Sequence, residues 1–334
     1  MKVARLFSGF DGAGEGIRAA GFDLSWAIEY DPKIAAVAEM NGHNVIVANI
    51  LDVDPRSLER PDIIHASPCC TNASMANPSG NEALSDIYTA MKTMQFVDVL
   101  RPQVFTLENV WGYRLFQSFA GGDKCEGILP ALKRMGYKVA YWHLNAADWG
   151  VAQTRKRLIL VAALDFYPER PQETHYNPKY PELAHPSLFA QARLPWVGWY
   201  EAIENLIPTL PDSQFAPWQL ARINSLLFDM RKSFLVNGAL SGGDEKTLQI
   251  HSYDEPTGTI VSTINSVKDT RAWLSSGRVV KMTPRALARF QSFQDSYKLS
   301  GNNVLDCKGI GNACPPKLFE AIYRQIKMQM ESMK

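Results

Sequence analysis

Short apolar runs at 3–8 (VARLFS), 24–29 (LSWAIE), 45–50 (VIVANI), 62–67 (DIIHAS) and 104–110 (VFTLENV) alternate with longer mixed stretches through the first third of the chain. Runs of that length read as strands, and helical stretches between successive strands imply a parallel sheet covered by helices, an α/β fold. The clearest helix is 85–101, where Ile87, Met91, Met94, Val97 and Leu100 recur at three- and four-residue spacing before Pro102 stops the pattern. That stripe is expected to face the core. At 137–164 the pattern changes: two apolar segments, KVAYWHLN and RLILVAAL, flank a polar stretch at 148–156 and predict a closing strand pair.

Beyond Leu164 the periodicity fades. Prolines recur from Pro168 to Pro217, a composition shift that marks a boundary. An irregular region then runs to about residue 277, and helical patterns return at 284–293 and 315–329, separated by a Gly/Asn-rich loop. There is no internal repeat and no low-complexity tract. The expected organisation is 1–164, then 165–277, then a return segment at 278–334.

Composition narrows this without changing it. A chain of 334 residues with 46% hydrophobic positions is long enough for one large domain or two unequal ones, and excludes fibrous and disordered classes. No apolar run approaches the roughly 18–20 residues of a spanning helix, and the N-terminus enters a strand pattern directly, so a cytoplasmic protein is expected. The five cysteines have no paired C-x-x-C spacing, which argues against a disulfide framework or a zinc site and points to a reduced compartment with a reactive thiol. Net charge is +1, yet 1–150 carries 13 Lys+Arg against 17 Asp+Glu and 151–334 carries 22 against 17. The second half is where a polyanion would be sought, although an ordinary solvated surface gives the same excess.

Candidate chemistry falls where strands end. FSGFDGAGEG (7–16) joins the first strand to the first helix, and Gly9, Gly12 and Gly14 would let a ligand approach a helix N-terminus, or would merely make a tight turn. Glu29 ends the second strand, where an acid can bind both ribose hydroxyls. Phe7 suits either stacking on adenine or the core. SPCCTNAS (67–74) follows the fourth strand, and a cysteine just after a proline in a polar loop suits nucleophilic attack better than burial. Glu108, in LENV (107–110), would lie at the same edge, either paired or protonated as an acid, or as a structural cap. In QTRKR (153–157), Gln153, Arg155 and Arg157 share one face of an extended chain, which could hold a carbonyl or phosphate or be a solvated edge.

Taken in order, FSGFDG, Glu29, SPCCTNAS, ENV, QTRKR, RALARFQSFQD and GIGNACPP resemble the cytosine-5 DNA methyltransferase family, whose blocks read FxGxGG, an acid, PPCxxxS, ENV, QxRxR, RxxQxFPD and GNxVPP. The blocks span essentially the whole chain, and the cysteine block is closest to the version of phage and actinobacterial members. The resemblance implies a Rossmann-like S-adenosyl-L-methionine-dependent methyltransferase sheet at 1–164 for catalysis and cofactor binding. It also implies a smaller, irregular target-recognition domain at 165–277 and a return segment at 278–334 that completes the catalytic domain. Catalysis would fall to Cys70, Glu108, Arg155 and Arg157. Cofactor contacts would come from Phe7, Gly9, Gly12, Gly14, Glu29, Asn49, Pro68 and Asn312, and substrate contacts from Ser74, Asn109 and Gln153. No metal is implied. Because the family serine lies four residues after the cysteine, Ser74 selects Cys70 over Cys69.

The implied reaction is thiolate addition to carbon 6 of a cytosine flipped out of duplex DNA, followed by methyl transfer to carbon 5. The implied partners are duplex DNA, with Arg222, Arg231, Lys232, Lys246, Lys268, Arg271 and Arg278 as contributors in the recognition region, and a cognate restriction endonuclease or a phage setting. A monomer is expected. A tRNA cytosine-5 methyltransferase, a catalytically dead DNA-binding relative, and transfer of a modified group from an altered S-adenosylmethionine are the alternatives. The chain departs from the family at Asp11, where glycine is usual, and at Asn49, where an acid usually faces the adenine amine. Thr71 replaces a Gln, Gln294 a Pro, and Cys314 a Val that is expected to pack.

Overall fold

The structure, a computed structural model, describes residues 1–68, 82–185, 191–225, 231–240 and 246–333. By contact the chain forms two units, Met1–Asn145 with Lys156–Gln172 and Leu318–Lys334, and Ala146–Arg155 with Glu173–Lys317. Residues 278–317, grouped with the return segment by sequence, cluster with the second unit, and only the C-terminal helix rejoins the first.

The first unit alternates strand and helix as the pattern implies: β1 (Lys2–Leu6), α1 (Gly12–Ala19), β2 (Asp23–Glu29), α2 (Pro32–Met40), β3 (Val45–Val47), β4 (Ile63–Ala66), α3 (Leu84–Leu100), β5 (Val104–Asn109), α4 (Gln117–Ala120), α5 (Ile128–Arg134), β6 (Lys138–Asn145) and β7 (Lys156–Ala163). The strands form one seven-stranded sheet in the order β3-β2-β1-β4-β5-β7-β6. Pairings from β3 to β5 are parallel, while β7 runs antiparallel to both β5 and β6. This is a Rossmann-like sheet closed by an antiparallel pair. The closing antiparallel pair at 138–163 matches the sequence reading. Strands β4 and β5 are buried along their whole length, as a sheet with both faces covered requires.

Local chemistry sets the helix ends. Asp31 caps α2 through the Lys33 N–H, with Pro32 at the first helical position. Helix α3 stops at Leu100, where Arg101 turns left-handed ahead of Pro102. Ile87, Met94, Val97 and Leu100 are buried, and the last three pack with Phe96 in the core of the sheet. Met91 is the exception to the expected stripe. It is 52% exposed, because a helix on a sheet buries a narrower face than the apolar spacing alone suggests.

The second unit contains β8 (His175–Tyr176), β9 (Leu194–Pro195), α6 (Trp199–Ile203), α7 (Pro217–Ser225), β10 (Phe234–Leu240), β11 (Lys246–Ser252), α8 (Asn265–Lys268), β12 (Arg271–Trp273), β13 (Val279–Lys281), α9 (Pro284–Phe290) and α10 (Asn303–Asn312). The region expected to be irregular holds a four-stranded sheet, β11-β10-β12-β13, whose pairings are antiparallel. Its small core stacks Phe234 between Phe215 and Trp273. The Gly/Asn-rich stretch expected to be a loop instead forms α10, started by Asn302, whose side-chain oxygen accepts from the Val304 and Leu305 N–H groups. Cys314 is buried, as expected of packing. Helix α11 (Pro316–Ser332) closes the chain, and within the first unit it sets Phe319 against His65 and the Tyr323 hydroxyl 2.9 Å from Thr106 Oγ1. No helix among the described residues is long and apolar enough to cross a membrane.

Candidate active site

In the first unit the sequence-derived groups gather at the carboxyl edge of the sheet, where open α/β sheets bind ligands. Glu108, the next-to-last residue of β5, is buried, and its two oxygens have separate partners. Oε1 lies 2.9 Å from Arg157 Nε, and Oε2 accepts from Ser67 Oγ at 2.9 Å. Both oxygens of this buried carboxyl therefore have a partner. Asn109 donates from Nδ2 to the Pro68 carbonyl (3.2 Å) and accepts the Val110 N–H (2.8 Å), so it anchors the entrance of the cysteine loop to the backbone. The motif pattern gives Ser67 no role, and only the fold sets it beside Glu108. Cys69, Cys70 and Ser74 lie outside the described residues.

The QTRKR block does not act as one face. β7 begins only at Lys156, so the alternation of an extended chain does not extend back to Gln153. Arg157 belongs to the first unit and meets Glu108, whereas Gln153 and Arg155 belong to the second. There Arg155 is buried and donates to the Ile260 carbonyl (3.3 Å). Gln153 accepts the Ile260 N–H (2.9 Å) and donates to Gln291 Oε1, and Gln291 donates in turn to the carbonyls of Ile310 and Ala313. A buried amide relay thus ties QTRKR, RALARFQ and GIGNACPP together. Sequence reasoning missed Gln291. In the last block Asn312 is exposed at the end of α10, and a side chain at Gly311 would collide with the backbone of Val261 and Ser262.

At the first turn, Phe7 is partly buried against the sheet core and adopts φ 59. Gly9 also has φ 59, and its N–H donates to Glu29 Oε2 (2.9 Å), while Glu29 Oε1 accepts the Asp31 N–H (3.0 Å). Both carboxylate oxygens are therefore oriented by backbone donors, and each retains a lone pair with which to accept a vicinal diol. The space beside Gly9 is open. These residues fit an adenosyl group. Gly12 is the first helical residue of α1 and is buried.

Gly14 has another role than the ligand approach expected of it. A Cβ there would sit 2.5 Å from the Asp11 carboxylate, which accepts the Gly14 N–H at 3.0 Å. Asn49 is exposed, and its oxygen, expected to face an adenine amine, accepts the Leu51 N–H (3.1 Å) and caps a short turn. That oxygen keeps a second lone pair, and the amide nitrogen can donate.

The charges of Arg114, Lys156 and Arg157 act on His143. Trp111 stacks on His143 (4.5 Å, 14°), and Arg114 lies 4.4 Å from the Trp111 ring centre. Burial, and then the charges of Lys156, Arg114 and Arg157, push the His143 pKa down. Arg114 and His143 lie outside the half where the sequence reading sought positive charge, and Lys156 and Arg157 lie within it. In the second unit two cations proposed for nucleic acid are committed at home. Arg271 bonds Ser213 and the Lys268 carbonyl, and Arg278 bonds Asp212 and the carbonyls of Ile207 and Leu210. Lys232 and Lys268 remain exposed.

The sheet and the edge site define a methyltransferase of Rossmann-like type. The model of the C-5 cytosine-specific DNA methylase family matches residues 1–328, and the chain belongs to that family as an enzyme of the DNA (cytosine-5) methyltransferase class. It is 28% identical to the Type II methyltransferase M1.HphI of Haemophilus parahaemolyticus over 95% of this chain and 84% of that one. Its fold is similar to a DNA modification methyltransferase encoded within an E. coli prophage (TM-score 0.65, 17% identity, 99% of each chain covered). It is also similar to the Dnmt2 methyltransferase of S. pombe (TM-score 0.60, 14% identity, 100% of this chain and 99% of that one).

Proposed function

We propose that the enzyme methylates carbon 5 of a cytosine flipped out of duplex DNA through a covalent adduct with Cys70. The observation that carries this reading is the buried Glu108, held between Arg157 and Ser67 at the sheet edge where Pro68 leads into the cysteine loop.

Carbon 5 of cytosine is a weak nucleophile. The Cys70 thiolate adds to carbon 6, forming a sulfur–carbon bond and an enamine whose carbon 5 can attack an electrophile. Glu108 holds a proton at ring nitrogen 3, and Arg157 donates to the carbonyl at position 2, so negative charge arriving with the thiolate is met by preorganised donors. S-adenosyl-L-methionine, when bound, supplies a methyl group activated by its sulfonium. Loss of the carbon 5 proton then breaks the sulfur–carbon bond and restores the ring and the thiolate. Phe7, Gly9, Gly12, Glu29 and Pro68 would hold the adenosyl group, with Asn49 contributing its amide.

Flipping costs a few kcal/mol, which pocket and phosphate contacts offset. Arg114, Lys156 and His143 offer phosphate contacts beside the site, and residues 165–277 read the target sequence. The setting is a cytoplasmic monomer acting beside a restriction endonuclease or within a phage genome. The test is methyl incorporation from labelled S-adenosylmethionine into duplex DNA and into bulk tRNA at one salt concentration. Labelled 5-methylcytosine in the DNA is expected, and labelled tRNA with unlabelled DNA would overturn the reading.

A further inference from the structure

Beneath the first turn lies an array of charges that the reaction does not use. Arg5, in the middle of β1, has no exposed surface, and its Nη1 donates to the carbonyls of Val3 and Trp26 (both 3.1 Å). Its Nε and Nη2 donate to Asp11 Oδ2 at 3.0 and 2.8 Å. The other Asp11 oxygen accepts the Gly14 N–H and caps α1. His43, just after α2, brings Nδ1 to 2.8 Å from Asp11 Oδ2 and Nε2 to 2.7 Å from Glu15 Oε1, and Arg18 meets Glu15 at 3.3 Å.

Asp11 turns neither toward solvent nor toward the ligand side. It holds the turn from within, at φ 54, a conformation that glycine would adopt without strain. Two of the turn's residues with side chains, Phe7 and Asp11, are left-handed, as is Gly9, and such a backbone persists only where its surroundings fix it. Burying charges is unfavourable unless each is paired, and here the pairs converge on the residue that ends the turn.

We propose that Asp11, clamped by Arg5 and His43, is a positioning residue that sets the geometry of the cofactor turn and makes cofactor affinity depend on the charge of His43. The proposal rests on the reading that this turn binds the adenosyl group. The charged and titratable groups facing the array are Arg5 on β1, Asp11 in the turn, Glu15 and Arg18 on α1, and His65 on β4. Burial opposes the charge of His43, but Asp11 and Glu15 outweigh it and raise its pKa. His65 is neutral above pH 6 because burial takes its pKa down to about 4. His43 is thus the group of the array that discharges as pH rises.

The test uses the full chain and S-adenosylhomocysteine, with calorimetry at pH 6–9.5 and thermal melts alongside. His43→Gln should fold, bind about tenfold more weakly than wild type at pH 6, as expected for losing one charge-assisted hydrogen bond, and lose the wild-type weakening with pH. Glu15→Gln, at the rim, removes one of the partners that raise the His43 pKa and should move the wild-type affinity curve to lower pH. A purely structural array would lower melting temperatures and leave both the affinity and its pH curve in place; that result overturns the proposal. If His43→Gln does not fold, an unchanged curve for Glu15→Gln overturns it. Failure of the wild type to bind S-adenosylhomocysteine at any pH would overturn the cofactor reading and this proposal with it.

Discussion

Arg157 Nε lies 2.9 Å from Glu108 Oε1 because β5 and β7 run antiparallel. Their register sets Asn109 opposite Leu158 and leaves Arg157 one step further toward the edge where the parallel strands end. One residue of register slip would turn the guanidinium to the other face. The pair therefore depends on the closing strands 138–163 as much as on the two residues themselves.

Replacing Glu108 by Gln keeps the shape of the site and removes its charge and transferable proton. Methyl transfer should fall by roughly 10²–10⁴-fold, the range for losing a general acid, with little change in melting temperature. Arg157→Ala leaves Glu108 without its ion pair in a buried position and should also destabilise the fold, by about 3–5 kcal/mol in denaturant unfolding.

Glu29 is oriented by the N–H groups of Gly9 and Asp31. Calorimetry on Glu29→Ala should show cofactor affinity reduced by roughly 10–100-fold, the effect of losing charge-assisted hydrogen bonds. Undiminished affinity would remove the ribose role.

His65 is fully buried, with Nδ1 2.9 Å from Thr106 Oγ1, and burial lowers its pKa to about 4. A histidine that charges readily when unfolded and resists charging when folded makes the unfolded state the greater proton binder between about pH 6.5 and 4. Stability should therefore fall as pH drops through that window, with His65 contributing about 3 kcal/mol of the loss. Urea unfolding of wild type and His65→Leu at pH 7 and 4.5 checks this, and the variant should show the smaller drop.

Gln291 donates to the carbonyls of Ile310 and Ala313 and receives Gln153. Gln291→Leu removes the partner of Gln153 Nε2 and of the Ala313 carbonyl, while the Ile310 carbonyl keeps the Ala313 N–H, and should cost roughly 1–3 kcal/mol for each group left unpaired, with faster amide exchange confined first to 309–314.

The sheet was legible because its strands are short apolar runs separated by helices, and the edge site because LENV ends one of them and SPCC directly follows another. The fold of the second unit was not: β12 and β13 are three residues each, too short to show alternation. The QTRKR face misled because strand character begins only at Lys156, a boundary set by pairing with Asn145 and not by composition. Gln291 and the Arg5–Asp11–His43 array were illegible for a different reason. Each joins residues whose burial follows only from the fold; Arg5, the charged residue within the apolar run VARLFS, is fully buried.

The most direct measurement is covalent trapping on duplex DNA containing 5-fluorocytosine in the target sequence, with S-adenosylmethionine present. Fluorine at carbon 5 cannot leave as the proton does, so the sulfur–carbon bond at carbon 6 persists and the complex survives denaturing electrophoresis. Wild type and Cys69→Ser should give the adduct, and Cys70→Ser should give none. An adduct that survives Cys70→Ser and disappears in Cys69→Ser, or no adduct from the wild type on DNA it methylates, would contradict the mechanism.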